Sequence, residues 1–149
     1  MRHIEIRDAI ANALRAESYA GCMFEGFEVH SAPPHDGNIR LPAFVFIMDV
    51  PTVAFDMLGG ERMMVFTLTI DMAFHYGDKG EMVNGQYYTG ADLVNLYASN
   101  FTKLMRDVDL SNIPILDDEI MVTPRYPEEM DDDRYGFVAE LRFTYKEAS

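Results

Sequence analysis

LPAFVFIMDVPTVAFDMLGGERMMVFTLTIDMAFHY, residues 41–76, decides how this chain is read. Two long extended runs, 41–57 and 62–76, are rich in β-branched, aromatic and methionine residues. Between them stands Leu58-Gly59-Gly60-Glu61. A Gly-Gly pair suits a two-residue hairpin turn, because both central positions of such a turn can require positive φ. With Gly59-Gly60 as that turn, Leu58 falls opposite Glu61 and each further pair follows. One face then collects Ala43, Val45, Ile47, Asp49, Val53, Phe55 and Met57 with Arg62, Met64, Phe66, Leu68, Ile70, Met72, Phe74 and Tyr76. The other mixes Thr52, Asp56, Glu61, Thr67, Thr69, Asp71 and His75 with Phe44, Phe46 and Met48. A slip of one residue would reverse the sorting, so the pattern argues for the register. Pro51 has no N–H to give a ladder, which implies an edge position or a bulge midway.

Fifteen extended residues span roughly 50 Å, whereas a domain of this length has a radius of gyration near ~15 Å. The hairpin is therefore expected to project from the body. Its tip carries Val53, Phe55, Met57, Met63, Met64 and Phe66, apolar residues that need a cover, and a neighbouring subunit is the natural one. These six are the candidate subunit interface.

Outward from the hairpin the remaining elements follow. Residues 4–16 read as an amphipathic helix, with Ile6, Ile10 and Leu14 at i, i+4 and i+8 and Ala9 and Ala13 filling the stripe. A short strand is expected near Phe24–Val29, then a loop over Ser31–Asn38 with Pro33-Pro34 and Asp36-Gly37. Gly77–Tyr88 reads as a polar loop turning at Asn84-Gly85. Thr89 and Asp92 suggest a capping box for a second helix, whose Leu93, Leu96, Tyr97, Phe101, Leu104, Met105 and Val108 recur at helical spacing. A short strand over Ile120–Val122 and an acidic loop over Pro124–Asp133 come next. The final strand alternates Tyr135, Phe137, Ala139, Leu141, Phe143 and Tyr145 with Gly136, Val138, Glu140, Arg142 and Thr144. The expected fold is α+β: a mostly antiparallel sheet with a long projecting β-hairpin and two helices packed on one face, in a single domain over residues 1–149.

Composition narrows the function classes. A chain of 149 residues can bury roughly 70% of its unfolded surface. Twelve Lys+Arg stand against 25 Asp+Glu, a formal net charge of −13. Such a surface repels phosphate backbones and anionic membranes, so neither a membrane nor sequence-specific nucleic acid is an expected partner. The longest apolar run is broken by Asp49, well short of the ~20 residues that span a bilayer. Cys22 is the single cysteine, which excludes an intramolecular disulfide and suits a reducing cytosol.

Chemistry-bearing motifs are sparse. There is no G-x-S-x-G elbow and Cys22 has no recognisable partner arrangement. Gly77-Asp78-Lys79-Gly80 lacks phosphate-loop spacing. His3, His30, His35 and His75 show no metal-binding spacing. Ten acids against one base, Arg125, lie between Asp107 and Asp133. Of these, Glu128, Glu129, Asp131, Asp132 and Asp133 could supply oxygen ligands to a divalent cation but do not follow the EF-hand pattern. They read as a solvated loop or as an acidic docking or rim surface for a basic partner. No enzyme activity, cofactor or metal is expected. A small enzyme or ligand-binding domain would draw on Asp49, Asp71 and His75, and in the register above the two aspartates point to opposite faces.

The order of these segments resembles the tail terminator and tail completion proteins of long-tailed bacteriophages, across nearly the whole chain. The resemblance is carried by the initial helix, Leu41-Pro42-Ala43 before an apolar strand, Phe66-Thr67-Leu68-Thr69-Ile70-Asp71, the helix start at Ala91-Asp92-Leu93, and the last strand of alternating aromatics. It implies a structural protein of the virion tail, assembled in the host bacterial cytoplasm. It implies a homo-oligomeric ring, usually a hexamer, that caps the tail tube, ends tube polymerisation and presents a surface to the head–tail connector or a completion protein. Genome DNA would pass through its channel. A head-proximal adaptor or stopper on the connector is the neighbouring alternative, separated by which purified component the protein binds.

Overall fold

The structure, a computed structural model, describes residues 1–75, 81–83, 85–127 and 134–148. Its elements are α1 (Arg2–Ala16), β1 (Glu28–His30), β2 (Ala43–Met48), β3 (Thr52–Asp56), β4 (Glu61–His75), β5 (Glu81–Val83), β6 (Gln86–Tyr88), α2 (Gly90–Asp107), β7 (Ile115–Arg125) and β8 (Arg134–Ala148). The main sheet runs β1-β2-β4-β8-β7, with β3 beside β4 as well. Among the described residues only β1 and β2 pair in parallel; the other ladders are antiparallel. Two helices with a mostly antiparallel sheet make this an α+β fold, as the sequence implies.

Strand β4 is the axis of the molecule. From Met64 to Phe74 every second residue is buried, and the matching residues of β8, Phe137, Ala139, Leu141, Phe143 and Tyr145, are buried beside them. Both alternations have period 2, so one face of the sheet is sealed and the other carries Thr67, Thr69, Asp71, Glu140 and Arg142. The helices lie on the sealed face. Helix α1 contributes Ile6, Ile10 and Leu14 to the core, together with Ala11 rather than the half-buried Ala9 and Ala13. Helix α2 contributes Leu93, Val94, Tyr97, Phe101 and Met105. Rings tie the layers together: Phe24 meets Phe44 edge-on at 5.0 Å, and Phe101 meets Phe137 at 5.2 Å.

Several expectations change. The strand anticipated from Phe24 starts only at Glu28, because residues 17–27 form turns that drop Phe24 and Phe27 into the core. The polar loop expected before α2 contains the β5–β6 hairpin, turning at Gly85. Thr89 is the N-cap of α2 in backbone terms, but its side chain makes no capping bond. The strand expected over Ile120–Val122 is eleven residues long, since Asp117, Asp118 and Glu119 pair with β8 and extend it. Pro124 and Arg125, assigned to the acidic loop, are the end of that strand.

The hairpin register also differs. Met57 N–H donates to Glu61 O at 2.8 Å, so the turn is a three-residue loop, Leu58-Gly59-Gly60, with φ of 87° and 81° at the glycines. Phe55 then opposes Met63, and Val53 opposes Met64 across a bulge at Ala54. After Asp49–Pro51 the register shifts once more, so that Phe44 opposes Met72 and Phe46 opposes Ile70. Phe44 and Phe46 therefore join the buried face, while Val45 is half-buried and Ile47 exposed. The expected sorting was right for β4 and inverted for β2. Pro51 marks the break between β2 and β3, as its missing donor requires.

Candidate assembly surface

Every residue of β3 is exposed. Among the described residues the strand pairs with β4 on one side only, so its outer edge presents backbone donors and acceptors beside apolar side chains. Val53 is 47% exposed, Phe55 51%, and Leu58 in the following turn 100%. The two glycines can hold positive φ without strain and leave Leu58 as the outermost apolar group of the hairpin. Asp56 and Arg62 form a solvent-exposed ion pair at 3.4 Å across the base of the turn. Pairs of that kind contribute little to stability.

The six expected interface residues divide. Val53 and Phe55 are exposed, and Met57 and Met63 are half-buried. Met64 and Phe66 are core residues, covered by their own chain: Phe66 meets the His3 ring edge-on at 5.6 Å and stacks with Phe143 at 6.5 Å. They are withdrawn from the interface. Strand β8 flanks β4 as far as Glu61↔Ala148. The arm thus has a companion strand along its length, and what stands clear is β3 and the turn. Leu58, absent from the expected set, is its most exposed member; its place between an apolar run and a Gly-Gly pair was the available signal. The acidic residues Glu128, Glu129, Asp131, Asp132 and Asp133 lie outside the described residues.

The opposite edge of the sheet is β7, where Leu116, Ile120 and Met121 are exposed. Beneath it a cavity of 550 Å³ opens between β7, the end of α2 and the loop that joins them. Met105, Ile113, Ile115 and Ile120 form its apolar wall, and Arg106 and Asp118 bring one charge of each sign. In the joining loop the Asp109 carboxylate accepts the Ser111 N–H at 3.0 Å. Hydrogen bonding from Ser111, side chain and backbone, holds Asp109 below the usual carboxylate range.

Groups that could serve catalysis are dispersed. Asp71 opposes Val45 rather than Met48, on the sheet face away from the helices. Burial raises its pKa, offset by the charges of Arg125, 3.9 Å away, and Arg134. His75 lies four residues further along the same strand, roughly 13 Å away. Asp49 falls in the break after β2, where its N–H donates to Thr67 O at 3.3 Å. Among the described residues no three His, Cys, Asp or Glu side chains gather closely enough to hold a metal ion. Tyr97 donates its hydroxyl to Glu81 Oε1 at 2.7 Å, fastening the β5–β6 hairpin to α2. Burial, and then that bond and the Glu81 charge, push the Tyr97 pKa above the ordinary tyrosine range.

No known family model matches the chain, and a search of curated proteins returns no match. No helix among the described residues is long and apolar enough to cross a membrane.

Proposed function

We propose that this chain is a structural assembly protein of the tail-terminator kind, without catalytic activity. Copies of it close into a ring, in the expected case a hexamer, that caps a phage tail tube, ends its polymerisation and presents the surface on which the head connector docks. The observation that carries the reading is the exposed apolar edge formed by β3 and the Leu58 turn. An uncovered edge strand bearing Val53 and Phe55 invites pairing with another chain, and natural proteins blunt such edges unless they are used. The order of elements, α1 and β1, then the β2–β4 hairpin, then α2, β7 and β8, supports the resemblance drawn from sequence. An acidic ring would also repel DNA from its channel walls and let it pass.

Native mass spectrometry across a concentration series tests the reading. A closed ring, stable on dilution and bound by purified tube protein, is the expected result. A chain that stays monomeric, and remains so with tube protein present, overturns it. Binding to a connector ring in place of tube protein would reassign the chain to the head side of the joint.

A further inference from the structure

We draw no further inference here: the strongest candidate, the α2–β7 cavity with its apolar wall of Met105, Ile113, Ile115 and Ile120, carries nothing because nothing in the structure shows what covers it.

Discussion

Strands β2 and β3 come from one apolar run and share one partner, yet their fates are opposite. Both pair with β4. In β2, Phe44 and Phe46 are sealed under the helical layer; in β3, all five residues face solvent. Hydrophobicity does not separate them, for Val53 and Phe55 are as apolar as their counterparts. Register does not separate them either, for Val53 opposes the buried Met64 and so lies on the core face; what separates them is that the layer covering Phe44 and Phe46 does not reach β3. Burial here is a property of position, and residues left outside are available for a partner.

The largest expected effect probes the covered strand. Phe46→Ala should destabilise the chain by about 3–5 kcal/mol, the usual loss for a fully buried phenylalanine, read by urea denaturation. A loss below about 1 kcal/mol would mean that β2 is no better packed than β3. Next comes the seam that both strands depend on. At Gly136 an added Cβ would lie 1.9 Å from the Met72 carbonyl oxygen, a backbone atom that cannot swing aside. Gly136→Ala should part β8 from β4 at a loss of about 1–3 kcal/mol, seen as a lower melting temperature; an unchanged one would show that the seam is loose.

Alkali should attack the covered side selectively. Burial pushes Tyr145 up to about 12, with the Glu147 charge adding to the rise and Arg2 opposing it, and Tyr97 shifts the same way. For a group whose folded pKa is raised, the stabilising contribution is complete below the unfolded pKa of about 10. It is lost as pH rises from there through the folded value. Stability should fall above about pH 10, and Tyr97→Phe should flatten that fall; an identical profile would remove Tyr97 as a cause. The smallest effect belongs to the edge. In the dissociated chain Phe55→Ala should change stability by no more than about 0.5 kcal/mol, as surface substitutions do, while weakening assembly. A loss like that of Phe46→Ala would show that the edge is already covered.

Much of this was legible in sequence, for reasons that differ by residue. The α+β class, α1, α2 and β8 follow from periodicity, because each has one apolar face long enough to leave an unambiguous 3.6- or 2-residue signal. Register was harder. The pair Gly59-Gly60 locates the turn correctly, but whether a loop holds two or three residues depends on which hydrogen bond closes it. That difference, together with the shifts at Ala54 and at Asp49–Pro51, reverses the faces assigned to Phe44, Phe46 and Ile47. Strand β7 was underestimated because Asp117, Asp118 and Glu119 look like loop, whereas at a sheet edge their side chains reach water without leaving the ladder. Met64 and Phe66 were assigned to an interface because nothing local announces that they pair with residues 81 and 77 positions further on, Tyr145 and Phe143, inside a covered sheet face. The α2–β7 cavity has no sequence signature either, since α1, α2, the joining loop, β7 and β8 all contribute to its lining.

The seam between β4 and β8 also bears on time. His75 pairs with Arg134 and Glu61 with Ala148, so partners are 59 to 87 positions apart along the chain. Contacts of that span must close large loops before they return any stabilisation, which slows folding. During synthesis β4 emerges well before β8, and until β8 arrives one whole flank of the central strand is bare. The Leu58 turn takes shape before the α2–β7 cavity, whose walls include Leu141 and Phe143, is complete.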